Sequence, residues 1–176
     1  MRFTFISLLF LSISCTNDPH LVSELFEDKN LPIEIIEKSN LIHTENGLIK
    51  LEIIANKIER FVDDSPRLLF SNGFEVIFYD DSSNVISNLK AKNAIVDEVN
   101  NNMRASSSVV LSNKTKTLET EYLIWDEKKD KIYTENNVII TTDKEKIYAK
   151  GFSSDPNFND YTLNKISGKM YISEID

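Results

Sequence analysis

One cysteine, two histidines, four glycines and four prolines are spread over 176 residues. A lone cysteine builds no intrachain disulfide framework and no multi-thiolate metal site. His20 and His43 offer little for zinc or for Ser–His chemistry. So little Gly and Pro excludes a collagen-like or linker-rich chain. Basic residues are also short: 20 Lys+Arg against 28 Asp+Glu leave a net charge of −8. That balance makes a nucleic-acid phosphate backbone a poor partner. No apolar run approaches the 20 or so residues that a membrane-spanning helix takes. Neither a Gly-rich phosphate loop nor HExxH, GxSxG or CxxC occurs. These absences argue against an ordinary hydrolase or metalloenzyme, and for a non-enzymatic protein with no cofactor and no bound metal.

What is present suffices for one domain. Hydrophobic residues are 41% and charged residues 27% of the chain, and a chain of this length buries roughly two-thirds of its unfolded surface. The N-terminus is distinct. Arg2 is the only charge before Asp18, and the apolar stretch from Phe3 to Ile13 ends at Ser14-Cys15. Its length suits a signal-peptide core. The pattern looks like a bacterial lipoprotein signal, cleaved before Cys15, whose thiol is then lipidated. The usual Leu three residues before that Cys is replaced by Ser12, with Leu11 one further back. An ordinary secretory signal with an incidental Cys is the bland alternative. Several acyl chains, at about 0.8 kcal/mol per buried CH₂, would hold the chain on a membrane without a transmembrane helix. Residues 1–14 are thus read as signal peptide and 15–40 as lipidated Cys and tether, the latter including Pro19, His20 and Pro32.

From Gly47 onward the apolar period is two, the signature of strands. Phe74, Val76 and Phe78 alternate with Glu75, Ile77 and Tyr79. Polar clusters interrupt at short intervals: Asp80-Asp81-Ser82-Ser83-Asn84, Asn100-Asn101-Asn102, Ser112-Asn113-Lys114, Glu127-Lys128-Lys129-Asp130 and Thr142-Asp143-Lys144-Glu145. Regular short strands between turn signals predict an all-β domain, here over residues 41–172 with a tail at 173–176. Asp63-Asp64 and Asp80-Asp81 read as turn chemistry rather than as paired catalytic carboxylates. His43 reads as an exposed strand or turn residue.

The spacing is tighter than that. Leu89-Lys90-Ala91, Leu118-Glu119-Thr120 and Ile147-Tyr148-Ala149 start runs displaced by 29 residues, as do Met103-Arg104-Ala105 and Ile132-Tyr133-Thr134. This is a repeat of two strands and two turns. The inward set is Leu89, Ala91, Ala94; Met103, Ala105, Val109; Leu118, Thr120, Leu123, Trp125; Ile132, Thr134, Val138, Ile140; and Ile147, Ala149, Phe152. The small members Ala91, Ala105, Thr120, Thr134 and Ala149 recur every 14 or 15 residues, and on stacked strands would form one row. The first strand of each repeat slips phase by one residue, as from Ala91 to Ala94 and then Val96, from Thr120 to Leu123 and from Ala149 to Phe152. Ile53, Ala55 and Ile58 slip likewise. Such a slip needs a β-bulge, which bends and twists the sheet. Gly151 falls in the third slip, where φ > 0 suits glycine. Three arrangements fit: a curved open trough with an apolar lining, a closed β-sandwich in which small residues allow close packing, and a solenoid of about 29-residue coils. Trp125 is then a core anchor or a contact for a lipid tail.

Several stretches resemble a known family. They are Gly73-Phe74-Glu75-Val76-Ile77-Phe78-Tyr79-Asp80, Leu89-Lys90-Ala91-Lys92-Asn93-Ala94, Leu118-Glu119-Thr120-Glu121-Tyr122-Leu123-Ile124-Trp125-Asp126, Lys131-Ile132-Tyr133-Thr134 with Val138, and Gly151-Phe152-Ser153-Ser154-Asp155. Residues 47–168 resemble LptC, the periplasmic bridge component of lipopolysaccharide export, in its Bacteroidetes-type lipoprotein version. LptC belongs to the wider OstA-like group with LptA and the periplasmic part of LptD. The resemblance implies an open, twisted β-jelly-roll of two antiparallel sheets. It implies that the inward residues, from Phe74 to Phe152, shelter lipopolysaccharide acyl chains. It implies partners: the LptBFG exporter complex, and LptA-like or LptD jelly-rolls joined through edge strands, for which 41–55 and 161–172 are candidates. The location implied is the periplasm, with the lipid anchor on the inner membrane.

Overall fold

A computed structural model describes residues 31–62 and 65–171. The signal peptide, Cys15, the start of the tether, Asp63-Asp64 and the C-terminal tail lie outside the described residues. The described residues form ten strands: β1 (Glu34–Glu45), β2 (Leu48–Phe61), β3 (Arg67–Tyr79), β4 (Val85–Ala91), β5 (Asn93–Asp97), β6 (Asn102–Ser112), β7 (Lys116–Asp126), β8 (Lys131–Thr142), β9 (Glu145–Ser154) and β10 (Tyr161–Tyr171), with a 3₁₀ turn at Glu127–Lys129.

The polar clusters form the turns, for a shared reason. In each, a short side chain occupies the backbone donors of the reversal, which is what Asx and ST turns do. Asp80 Oδ1 accepts from the amides of Ser82 and Asn84, both at 2.8 Å. Asp97 Oδ1 accepts from Val99 and Asn100, Asn113 Oδ1 from Thr115 and Lys116, Asp126 Oδ1 from Lys129, and Thr142 Oγ1 from Lys144 and Glu145. Hydrogen bonds hold three carboxyls below their ordinary range: for Asp80 chiefly the Asn84 amide, for Asp97 the Asn100 side-chain amide, and for Asp126 the Lys129 ammonium, with the backbone amides adding to the last two.

Asn46 and Gly47, with φ of 51° and 80°, make the tight turn whose twist matches a two-stranded hairpin. That turn revises two expectations. The strand region begins at Glu34, so residues 34–40 belong to β1 and not to the tether. The candidate edge at 41–55 is two strands, of which only β1 is the edge.

Every ladder is antiparallel, and the order is β1-β2-β3-β4-β6-β7-β8-β9-β10, with β5 bridging β3 and β6. A solenoid would pair each strand with its equivalent 29 residues on. Instead Leu118 sits between Leu111 and Ile140. The all-β, jelly-roll-like fold is as expected. The two expected sheets are joined by continuous hydrogen bonding, so they are two arms of one sheet.

The register breaks define those arms. They fall at Ala55/Lys57, Ser106/Val109, Thr120/Ile124 and Thr134/Asn137, while β4 stops and β5 begins at Lys92. The first arm holds residues 48–55, 74–79, 85–91, 109–112, 116–120, 137–142 and 145–150. The second holds 57–61, 67–71, 93–97, 102–106, 124–126, 131–134 and 152–154. The arms fold face to face. Phe78 and Trp125 belong to strands three places apart, which in a flat sheet is about 14 Å at ~4.8 Å per strand, yet their rings meet edge to face at 5.1 Å.

The small residues do not form the single row expected. Ala91, Thr120 and Ala149 lie in the first arm and Ala105 and Thr134 in the second, each next to the break in its strand. Successive antiparallel strands approach the bend from opposite sides, so a 14-to-15-residue spacing alternates between the arms. The small side chains lie on both sides of the crease, where the arms are closest.

Gly151 occupies its slip with φ of +82°, and a Cβ there would stand 2.5 Å from Asn164 Nδ2 and 3.0 Å from Asn164 Cβ. Gly151→Ala therefore meets both a disfavoured backbone and a β10 side chain. The expected cost is about 1–3 kcal/mol, read in urea unfolding as a lower midpoint with an unchanged m-value. An unaltered midpoint would show that this bulge does not need glycine.

Candidate lipid-binding interior

Cross-strand pairs set the lining of the first arm. Leu41 opposes Ile53, Ile53 opposes Val76, and the series continues through Leu89, Leu111, Leu118, Ile140 and Ile147. A single apolar rib thus crosses every strand of that arm from β1 to β9. A second line in the other arm runs Leu68, Val96, Met103, Trp125 and Ile132. Between them lie Phe70, Ala94, Ala105 and Leu123 on one side of the crease, and Val109, Thr120, Val138 and Ala149 on the other.

Nineteen of the twenty inward residues expected from sequence are buried: Phe74, Val76, Phe78, Leu89, Ala91, Ala94, Met103, Ala105, Val109, Leu118, Thr120, Leu123, Ile132, Thr134, Val138, Ile140, Ile147, Ala149 and Phe152. Trp125 is half-buried. The buried hydroxyls are accommodated locally: Thr120 Oγ1 donates to Asn137 O at 2.9 Å, and Thr134 Oγ1 accepts from the Asn136 amide at 3.1 Å.

Exposure grades along the rib. Leu41 is 39% exposed, whereas Val76, Leu111, Leu118 and Ile140 are at 0%. The interior is packed in the middle and open at the β1 end. There the arms enclose a cavity of about 490 Å³, within the range of small-molecule sites. Leu41, His43, Leu51 and Ile53 line one wall; Leu68, Phe70, Val96, Met103 and Trp125 line the other. Asp97, Glu98, Asn101, Asn102 and Glu127 form a polar rim, with Arg60 paired to Glu98 at 3.1 Å. The walls are apolar and the rim is charged, which suits an amphiphile with its chain inside and its polar part outside. Among the described residues no group of His, Cys, Asp or Glu could hold a metal ion.

Only Met103 and Trp125 of the expected twenty line this mouth. Ile53 and Val96 were marked by the phase slips, whereas Leu51, Leu68 and Phe70 were missed although they carry the same period-two signal. Trp125 meets the Phe78 ring edge to face and also lines the mouth. Its Nε1 is buried without a partner among the described residues. His43 is exposed, as expected, beside Glu45 at 3.4 Å.

The grading makes a stability contrast. Leu111→Ala, in the packed middle, should cost about 2–5 kcal/mol, and Leu41→Ala at the open end under about 1 kcal/mol. Chemical denaturation of the two variants checks this; equal losses would mean that the two ends of the rib are equally packed. A search of curated proteins finds no match. The family described as LptC, lipopolysaccharide-assembly, LptC-related, matches residues 3–165. That is nearly the whole chain: this protein belongs to the LptC family of non-enzymatic lipopolysaccharide-transport components.

Proposed function

We propose that the chain is a periplasmic guide for lipopolysaccharide acyl chains, taking them in between its arms at the β1 end. The observation that carries this reading is the open cavity of about 490 Å³ continuous with the apolar rib. Burial of acyl methylenes stabilises the bound state by about 0.8 kcal/mol each. The buried inward residues, from Phe74 to Phe152, are the path along which the arms part as a chain advances, and the small side chains at the crease leave the least to displace.

The two sheet edges supply the joints. Among the described residues β1 pairs only with β2, and β10 only with β9. A free edge offers unpaired N–H and C=O groups, normally an aggregation hazard. Strand addition uses the same groups for affinity. One edge meets the LptBFG exporter complex, and the other an LptA-like or LptD jelly-roll. The acyl chains on Cys15 hold the assembly to the inner membrane. A structural or adhesion lipoprotein is the second reading, favoured by the 0–1% exposure of the middle of the rib.

Two experiments decide. Photocrosslinkers at Ile53 or Trp125 should capture lipopolysaccharide in cells with an active exporter, and those at the outward Glu119 or Glu135 should not. Capture only from the outward positions, or from none, overturns the guide and leaves the structural reading. Probes at the mouth are preferred to bulky groups at Thr134, which is 2% exposed and would overpack the core. Separately, Cys15→Ser should move the protein from the detergent phase to the aqueous phase in a Triton X-114 partition. Unchanged partitioning would show that Cys15 carries no anchor.

A further inference from the structure

The two ends of the interior are built differently. Residues 155–160 connect β9 to β10. A connection of this kind normally lies on the surface, but Phe158 within it is 0% exposed. Its φ is +53°, in the left-handed region that a bulky residue takes only when its surroundings hold it there. The ring meets Phe152 at 5.6 Å and Tyr161 at 5.9 Å between centroids, and Lys116 Nζ stands 5.4 Å from its centroid.

The backbone of the segment is fastened from across the interior. Ser87 Oγ donates to Pro156 O, Asn113 Nδ2 to Phe158 O at 2.9 Å, and Lys116 Nζ to Asn159 O. Ser87 and Lys116 belong to the first arm, and Asn113 to the turn at its edge. Ser154 and Tyr161, which flank the segment, oppose each other in the line that continues from Ile132 of the second arm. The segment is therefore a strap between the arms at the β10 end, and Phe158 fills the space beneath it. The closed position carries two costs: the left-handed backbone at Phe158, and an Asp155 carboxyl oxygen buried with no partner among the described residues.

The geometry points to a stopper: the 155–160 strap closes the β10 end of the interior, and an acyl chain leaving by that end must first displace Phe158. This rests on the proposed guide function, and it adds a direction. The β1 end receives chains freely, whereas the β10 end releases them only when the strap opens.

The test uses the full chain with lipid A as the probe and p-benzoylphenylalanine at Trp125 or at Tyr161, the latter beside the stopper. Phe158 itself is too deeply buried to replace safely. Asn113→Asp keeps the acceptor that holds the 113–116 turn and removes the donor to Phe158 O. Ser87→Ala removes the donor to Pro156 O. Each should raise capture at Tyr161 about fivefold, the effect of one net hydrogen bond on the open population, and leave capture at Trp125 unchanged. Exchange of the Phe158 amide, which donates to Asp155 O at 3.1 Å, should accelerate by the same factor without lipid. Capture at Trp125 with no change at Tyr161 in either variant overturns the stopper and spares the guide. No capture at either position overturns both.

Discussion

An antiparallel sheet with one apolar face must hide that face, and among the described residues there is no helix to lay against it. The solution here is for the sheet to cover itself. From β2 to β9 the ladder is broken near the middle of its strands, the breaks align, and the sheet folds along that crease until its own apolar face closes on itself. Everything else follows from that fold. It explains why small side chains gather at the crease, where the arms are closest. It explains why Phe78 touches Trp125 across three strand positions.

A sheet closed by folding differs from a barrel in having ends. At the β1 end the arms splay, and apolar residues meet solvent around a cavity. At the β10 end a strap from β9 to β10 crosses between the arms and seats a phenylalanine. The middle is as fully buried as an ordinary core. An interior of this kind is not a preformed pipe. It is a core whose two walls are held together by apolar contact and small residues at a hinge, so a guest with the same chemistry can replace wall-to-wall contact with wall-to-guest contact at little net loss. That property suits a protein of lipopolysaccharide transport.

Among the described residues the same fold leaves two sheet edges without neighbours. The charged residues of β1, among them Glu34, Glu37 and Lys38, are of the kind that discourages indiscriminate pairing. The left-handed φ of Lys38 adds an irregularity of its own to that edge. An edge guarded in this way is compatible with pairing to a selected partner rather than to any passing strand.

Much of this was legible in the chain, and the reason is distance. Turn residues act on amides two or three positions away, so the Asp80, Asn113 and Thr142 reversals are written locally. A one-residue slip changes which face a side chain takes, so the bulges at Thr120–Leu123 and at Gly151 showed in the alternation. The two-residue insertions at Ser107-Ser108 and Glu135-Asn136 return the strand to the same face. They left no trace in the pattern, although they complete the crease. β1 was partly lost because one sheet neighbour and mostly exposed faces impose little periodicity. The strap was invisible: Asp155-Pro156-Asn157-Phe158 reads as one more turn. The residues alone therefore determined strands, turns, the inward set and the kind of protein. Which end is open and which is stoppered was decided by the tertiary fold, because it depends on Leu41 facing the Trp125 wall and Asn113 reaching Phe158, groups far apart in sequence that meet only when the ladder closes.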